Sequence, residues 1–278
     1  MFLVATLSSK ENELHECKLS VSAQTYKAEQ IIFEGYDNVT AHRKVYTLFN
    51  EADEKYKYLC KLDADMRFND SSVLKDIYIF FEKNKSIDHV IIPVFDYFTG
   101  KHILGAHFFR KGVKWSLSND TMFVDPNPTI CKGMVVLHKW RNRIDHCFSP
   151  SVAQSFLFGV HRAAKMIEAK KKGDFSQFYS QMMVLEQLKK EYFKTGKKYN
   201  KIAMIGVICL FEKLINHEDY SNKILFEEQE FILPIDFDAG KYNSFIKQEI
   251  MSLSAKQLLQ LSVRRLIHFT KMTMYGYM

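Results

Sequence analysis

The amino-acid sequence predicts an α/β protein with a doubly wound, mixed sheet, followed by a helical, basic C-terminal region. Short apolar runs alternate with helical patterns over the first 95 residues, which is typical of βαβ units. Lysine and arginine then outnumber acids in residues 162–201, within patterns of helical period. The composition, 47% hydrophobic and 26% charged over 278 residues, excludes collagen-like, disordered and coiled-coil proteins.

Strands and helices alternate strictly in the N-terminal third. Buried strands are short, nearly continuous apolar runs, whereas helices show apolar residues at spacings of three and four. These patterns predict, in order, strand Phe2–Leu7, helix Leu14–Val21, strand Gln30–Phe33, helix Thr40–Ala52, strand Tyr58–Leu62, helix Val73–Phe81 and strand Val90–Val94. Residues 95–145 carry only short strand-like pieces, and we interpret them as an irregular, partly antiparallel layer.

Helical patterns dominate from residue 149 onward. Ser149-Pro150 is a favourable N-cap and first-turn pair, Asp174–Gln177 resembles a variant capping box of a later helix, and Ser254–Gln257 opens the last helix. We therefore divide the chain into a domain of residues 1–148 and a helical region of residues 149–278.

The chain shows no sign of export or of crossing a membrane. Its longest apolar run, Ile202–Phe211, is about half of what a bilayer span needs. The five cysteines are odd in number and form no CxxC pair, which favours a reducing compartment. We expect a cytoplasmic protein whose net charge of +7 favours anionic partners.

Several common catalytic signatures are missing from the sequence. There is no GxGxxG after the first predicted strand and no GxxxxGK[ST], which disfavours Rossmann dinucleotide binding and P-loop chemistry. GxSxG and HExxH, the commonest hydrolase signatures, are also absent.

A pair of carboxylates, Asp63 and Asp65, follows the third predicted strand. Ligands of doubly wound sheets bind beyond the carboxyl ends of the strands. Two hard oxygen ligands at that edge suit Mn²⁺ or Mg²⁺ held together with a diphosphate. The alternative is a solvated turn, because aspartate is common after strands.

Three stretches resemble glycosyltransferases of the GT-A fold, in particular glycosyltransferase family 2. They are Leu3–Ser8, the segment Leu14–Tyr26 with its Ser20-Val21 and Gln24-Thr25-Tyr26 motifs, and Leu62–Asp65. The resemblance implies a Rossmann-like GT-A domain in residues 1–148, a nucleoside diphosphate sugar donor, a divalent cation and inversion at the anomeric carbon. The QxxRW signature of processive synthases is absent, which speaks against a polymerising enzyme.

The resemblance also implies roles for individual residues. Thr6 and Ser8 would line the nucleoside pocket, and Glu34 would contact the base. Asp63 would lie by the ribose or the metal, and Asp65 would ligate the metal. The family's usual Asp-Asp-Gly-Ser after the second strand is replaced here by Glu34-Gly-Tyr-Asp37.

An inverting transfer needs a carboxylate that takes the proton of the acceptor hydroxyl. The family places this base downstream of the paired aspartates, before a helix, and Asp145 fits that position best. Asp120 and Asp125 are rival candidates. The alternative for Asp145 is an ion pair with a neighbouring arginine.

Basic residues near Asp145 are further candidates for the site. His146 is a candidate third metal ligand or acceptor contact, whereas His161, on the apolar face of a helix, is more typical of a structural histidine. Arg141 and Arg143 are candidates for binding the diphosphate, with solvated surface arginines as the alternative.

The last helix combines cations, among them Arg264, Arg265 and Lys271, with apolar residues between Leu266 and Tyr275. Such a helix suits an anionic membrane surface. We therefore expect a peripheral protein on the inner face of the cytoplasmic membrane that adds one sugar to a glycan or lipid-linked acceptor, in surface polysaccharide or lipopolysaccharide biosynthesis. The alternatives are a nucleotidyltransferase and a non-catalytic polyanion- or membrane-binding protein; nucleic acid is not an expected partner.

Overall fold

The computed structural model divides into two compact units, Met1–Gln154 and the described residues from Ser155 onward. The boundary predicted at residues 148/149 lies a few residues before this division. The structure describes residues 1–52, 54–116, 120, 122–123, 128–215 and 237–274, with side chains up to residue 265.

The first unit is an α/β structure built on one mixed sheet. Its described strands are β1 (Phe2–Ser8), β2 (Ala28–Glu34), β3 (Tyr58–Lys61), β4 (Met66–Phe68), β5 (His89–Asp96), β6 (Lys101–Arg110), β7 (Lys114–Trp115), β8 (Pro128–Ile130), β9 (Met134–Val136) and β10 (Ile144–His146). The sheet has the order β2-β1-β3-β6-β5-β10-β4, with β9 also paired to β5, while β7 and β8 form a separate ribbon. The predicted α/β class with a mixed sheet is confirmed.

Helices cover both faces of this sheet. They are α1 (Leu14–Ser22), α2 (Asn38–Glu51) and α3 (Val73–Lys83), with a 3-10 turn at His138–Trp140. Successive side chains of a strand point to opposite faces, so Phe2 and Val4 pack in the core with residues of α1 and α3, and Leu3 packs with residues of α2. Strand β1 is thus buried on both faces, as its unbroken apolar sequence predicts.

Residues 95–145 are partly antiparallel, as predicted, but the interpretation of them as irregular is wrong for β6. This strand lies inside the main sheet, antiparallel to β3 on one side and to β5 on the other. A tight connection after Asp96 turns the chain back on itself, and Gly100 N donates to the Asp96 carbonyl at 2.9 Å. Phe108 and Phe109 then fill the two opposite cores.

The second unit is helical, as predicted. Its helices are α4 (Val152–Lys171), α5 (Phe175–Thr195), α6 (Lys198–Phe211), α7 (Ala239–Met251) and α8 (Ala255–Met274). Asp174 caps α5 by accepting from Gln177 N, and α5 ends at Gly196, whose φ of 67° is left-handed. Ser254 and Gln257 exchange hydrogen bonds at the start of α8. The cap predicted at Asp174 is confirmed, but the reciprocal bond of a capping box is absent there, because Asp174 N donates to the Ala169 carbonyl.

Helix α4 begins later than predicted. The prediction placed Ser149 at its N-cap, but Ser151 and Gln154 exchange the capping hydrogen bonds instead. Ser149 is used elsewhere, because its N–H donates to Glu13 at 3.1 Å and its carbonyl accepts from Asn12 Nδ2 at 2.8 Å.

Helix α6 contains the longest apolar run of the chain, and residues 202–210 are all buried within it. It packs against α4 at unusually short range: a Cβ built on Gly159 would lie 1.7 Å from the Ala203 carbonyl oxygen, and one on Gly206 2.2 Å from that of Phe156. Glycine is required at both positions by this close approach. In the described part of the chain, no helix has the length and apolar character needed to cross a bilayer.

The α4–α6 contact gives a first prediction. Gly159→Ala should lower the free energy of unfolding by about 2 kcal/mol or more, because overpacking against a backbone carbonyl forces the helices apart. Gly240→Ala in α7 is the matched control, since its Cβ would meet only the flexible end of Asp238, at 3.0 Å. Urea unfolding of both variants measures the difference; equal stability would contradict the close helix contact.

A second prediction concerns His89, which is buried at the start of β5 with its Nε2 3.0 Å from His107 Nδ1. Burial and then His107 lower the pKa of His89 from 6.5 to about 3. The unfolded chain therefore binds a proton at His89 that the folded chain does not, so the free energy of unfolding decreases as the pH falls from 6.5 toward 3.

The variant His89→Gln should flatten this slope, by about 1 kcal/mol or more between pH values of about 7 and 5 in urea unfolding. Leu104→Gln, at an exposed position of β6, is the control, because it changes no titratable group, and should keep the wild-type slope. Parallel slopes for wild type and His89→Gln would show that His89 is not a source of the pH dependence.

Candidate functional site

The candidate site lies at the carboxyl edge of the parallel strands β1, β2 and β3. Strand β1 pairs with β2 on one side and with β3 on the other, which makes its end the topological switch point where doubly wound sheets bind ligands. Ala64 N donates to the Leu7 carbonyl at 3.0 Å, so Asp63 and Asp65 continue from β3 alongside the end of β1. The predicted position of the paired aspartates is confirmed.

Three potential metal ligands converge at this edge: Asp65, His146 and Cys147. Asp65 Oδ2 lies 3.3 Å from His146 Nε2 and 3.1 Å from Cys147 Sγ. The nitrogen of His146 and the sulfur of Cys147 are 3.5 Å apart. The strand pairing brings them together, because His146 in β10 is directly opposite Met66 in β4 and Cys147 N donates to the Asp65 carbonyl at 2.8 Å.

Asp96, at the end of β5, orients His146. Its carboxylate is fully buried and lies 2.7 Å from His146 Nδ1, while Thr99 donates two hydrogen bonds to its other oxygen. A proton on Nδ1 is therefore directed to Asp96, and Nε2 is left facing Asp65. Histidines that bind metals characteristically donate their second nitrogen to a carboxylate in this way.

The electrostatics of the cluster favour positive charge. Burial by itself raises the pKa of Asp65, but the adjacent His146 and the hydrogen bonds from His146 and Cys147 lower it from 3.8 to about 2. Burial lowers the pKa of His146, yet Cys147, Asp65 and Asp96 raise it well above 6.5. The two carboxylates thus remain ionised beside a single imidazolium.

The residues of the cluster fit a divalent cation. Asp65 Oδ1 is buried and has no hydrogen-bond partner among the described residues, and an unpaired buried carboxylate oxygen is costly unless a cation or donor meets it. Carboxylate and imidazole ligands suit Mn²⁺, and carboxylate suits Mg²⁺. Asp65 and His146, both predicted as metal ligands, are brought together by the structure, whereas Asp63 pairs with Lys61 Nζ at 3.2 Å.

The predicted nucleoside contacts lie at the ends of the two neighbouring strands. Ser8 and Glu34 are partners in the β1–β2 register, and Ser8 Oγ donates to Glu34 Oε2 at 3.4 Å. Glu34 is exposed, whereas Thr6 is fully buried and accepts from Gln30 Nε2 at 2.8 Å. Ser8 and Glu34 therefore form one polar patch, whereas the Thr6 side chain is buried within the sheet and pairs with Gln30.

Asp145 lies apart from this cluster, since neighbouring residues of β10 point to opposite faces. Arg67 donates two hydrogen bonds to its carboxylate, at 3.0 and 3.2 Å, and Asn69 donates a third at 2.8 Å. This is the ion-pair alternative, with Arg67 as the arginine, and both oxygens of the Asp145 carboxylate already accept hydrogen bonds from the protein. Of its rivals, Asp120 accepts from Met122 N and Phe123 N, while Asp125 lies outside the described residues.

Neither of the two arginines predicted to bind the diphosphate is among the described contacts of the Asp65–His146–Cys147 cluster. Arg143 donates to Asp70, Ser72 and Asp76 at 2.7 to 2.8 Å. Its charge is therefore used at the start of α3. Arg141 is exposed after the 3-10 turn.

Sequence reasoning missed three residues of the site: Asp96, Cys147 and Glu13. The edge argument that found Asp65 would also have found Asp96, since it closely follows a predicted strand, and Cys147 adjoins His146 in sequence. Glu13 is fully buried and accepts from Gln154 Nε2 and Ser149 N at 2.7 and 3.1 Å. Burial raises its pKa, and Asp65 adds to this effect; no local pattern marks it.

The role of Asp96 leads to a third prediction. Asp96→Asn should reduce the affinity for Mn²⁺ by about 10- to 100-fold, because the amide no longer holds the imidazole in its ligating orientation. Calorimetric titration of the folded variant with Mn²⁺ measures this. Asp145→Asn is the matched control on the opposite face of β10 and should bind Mn²⁺ like wild type. If Asp96→Asn also bound normally, the cluster would not be the cation site.

Comparisons with known proteins do not place this chain in a family. No protein-family model matches it, and no curated protein matches it. A solved structure titled "Crystal Structure of A197 from STIV" is similar over 39% of this chain, at 16% sequence identity and a TM-score of 0.33. The similar region covers 64% of that protein, which is less than two thirds of its length. A likeness of this size carries no argument about function.

Proposed function

We propose that this protein is a metal-dependent glycosyltransferase of the GT-A type, which moves one sugar from a nucleoside diphosphate sugar to an acceptor. The observation that carries the proposal is the convergence of Asp65 and His146 at the carboxyl edge of the sheet, 3.3 Å apart. Doubly wound sheets bind ligands at this edge, and a carboxylate there is a ligand that a diphosphate-bound Mn²⁺ or Mg²⁺ uses.

The polar patch of Ser8 and Glu34 supports the same proposal. It lies at the ends of β1 and β2, on the same sheet edge as Asp65. In the proposed complex, these side chains bind the nucleoside while Asp65 and His146 hold the cation. Asp63 lies beside the ribose, with its charge balanced by Lys61.

The described residues divide the work of the reaction. A bound dication would supply the positive charge that offsets the developing charge on the departing nucleoside diphosphate. Asp65 and His146 hold that charge in place, and Asp96 keeps Nε2 directed toward it. The buried position of His146 and Cys147 limits water at the site and so strengthens these electrostatic interactions.

For the acceptor, we propose a glycan or lipid-linked precursor of a surface polysaccharide, presented at the inner face of the cytoplasmic membrane. Leu259 and Val263 of α8 are exposed, and such apolar side chains suit an interfacial position. Arg264 and Arg265, predicted to meet anionic lipid, instead donate to Ser176 and Glu186 of α5. The side chains of residues 266–275, included in the membrane hypothesis, lie outside the described part of the chain.

A ligand screen tests the proposed function. With Mn²⁺ present, one nucleoside diphosphate sugar at about 100 times its Kd should stabilise the fold by about 2.7 kcal/mol, because it binds only the folded state. This corresponds to a rise in Tm of several degrees. Asp65→Asn should abolish the rise, while Asp145→Asn should retain it.

Different outcomes of this screen point to different proteins. A rise with nucleoside triphosphates alone would indicate a nucleotidyltransferase and contradict the proposal. Indifference of wild type to every nucleotide would favour a non-catalytic protein, and an unchanged rise in Asp65→Asn would remove the role of the carboxylate.

A further inference from the structure

Cys147 presents a thiol to the same point in space as Asp65 and His146. Its Sγ is 3.1 Å from Asp65 Oδ2 and 3.5 Å from His146 Nε2, and the residue is 5% exposed. A site for a hard cation such as Mg²⁺ uses oxygen ligands and has no need of a sulfur atom at this position. The thiol therefore bears on which cation the site selects.

We propose that Cys147 supplies a thiolate ligand beside Asp65 and His146, and that the site thereby selects a transition-metal dication such as Zn²⁺ or Co²⁺ over Mg²⁺. This inference deepens the proposed function, on whose cation site it rests. Soft sulfur ligands select zinc and related ions, imidazole suits transition metals, and Mg²⁺ prefers an all-oxygen shell with several waters.

Two of the three separations in the cluster are close to those along one face of a ligand tetrahedron. With zinc bond lengths of about 2.1 Å to oxygen and nitrogen and about 2.3 Å to sulfur, tetrahedral ligands lie about 3.4 to 3.6 Å apart. The distances found are 3.3, 3.5 and 3.1 Å. Octahedral ligands of Mg²⁺ would lie only about 2.9 Å apart. Two of the three distances are thus close to the tetrahedral values before any adjustment of side chains.

The backbone holds Cys147 in this position. Its φ of 52° lies in the left-handed region, which non-glycine residues seldom adopt and which carries a cost in free energy. Its N–H donates to the Asp65 carbonyl at 2.8 Å, so the main chains of the two residues move together. Asp65 keeps about 20% of its side chain exposed, which leaves an approach to the cluster from solvent.

Binding of a dication displaces protons from the cluster. In the cation-free protein the Cys147 thiol donates to Asp65 Oδ2 at 3.1 Å. On binding, the S–H bond breaks, sulfur donates the electron pair to the cation, and the proton leaves to buffer. His146 Nε2 also loses its proton. No oxidant or reductant is involved, and affinity increases with pH.

Cobalt spectroscopy of the full chain tests this assignment. Titration of wild type with Co²⁺ under a non-thiol reductant should produce a sulfur-to-cobalt charge-transfer band in the near ultraviolet, with one equivalent bound. Cys147→Ser should lose this band and bind Co²⁺ about 10-fold or more weakly. Cys147→Gly removes the thiol while accommodating the positive φ, and a far-ultraviolet circular dichroism spectrum like that of wild type shows that loss of the band in this variant is not misfolding.

Matched variants separate this thiol from others. Cys131→Ser removes a partially exposed cysteine and should keep the full band. Competition with Mg²⁺ should displace Co²⁺ from wild type only at about 100-fold excess or more, and more readily from Cys147→Ser. A band that survives in Cys147→Ser or Cys147→Gly, a band lost in Cys131→Ser, or failure of wild type to bind Co²⁺ would each overturn the assignment.

The outcome is distinguishable from that of the proposed function. A charge-transfer band in wild type without stabilisation by any nucleoside diphosphate sugar would remove the glycosyltransferase and leave the thiolate site. Stabilisation by a nucleoside diphosphate sugar, with Co²⁺ bound but no charge-transfer band, would remove the thiolate ligand and leave the proposed glycosyltransferase.

Discussion

The candidate site depends on the pairing of β10 with its two neighbours. This strand of three residues is parallel to β5 and antiparallel to β4, so it places His146 between Asp96 of one and Asp65, which precedes the other. The imidazole bridges two carboxylates, at 2.7 and 3.3 Å. A buried charge without a partner is strongly destabilising. The charges of Asp96, His146 and Asp65 therefore stabilise one another, with the imidazole in the middle.

The same arrangement explains how one edge of the sheet combines rigidity with a place for a ligand. Asp96 satisfies both of its oxygens within the protein, whereas Asp65 leaves Oδ1 without a hydrogen bond among the described residues. Asp96, with both oxygens hydrogen-bonded, orients His146. Asp65, which has one oxygen without a hydrogen bond, is the carboxylate that we propose binds the cation. Sulfur from Cys147 adds a ligand that would bias the site toward transition metals.

Much of the first unit follows from local sequence patterns. Predicted strands and helices up to residue 94 correspond to elements of the structure, because strands buried on both faces leave unbroken apolar runs and surface helices leave periodic ones. The position of β6 in the sheet could not be predicted from local sequence. A strand after a tight turn can pair with the strand before it or cross to another layer. Its insertion between β3 and β5 depends on contacts that are distant along the chain.

By itself, the sequence determined the alternation of elements, the helical nature of the second unit and the location of the paired aspartates, all of which are encoded within a few residues. Only the tertiary structure decided the partner of each carboxylate. Asp63 and Asp65 are two residues apart, yet one pairs with Lys61 and the other with His146 and Cys147, about 80 positions away. Asp145 and His146 are adjacent, yet opposite faces of β10 give them different partners. Side-chain direction and strand register create these differences, and neither is a property of local sequence.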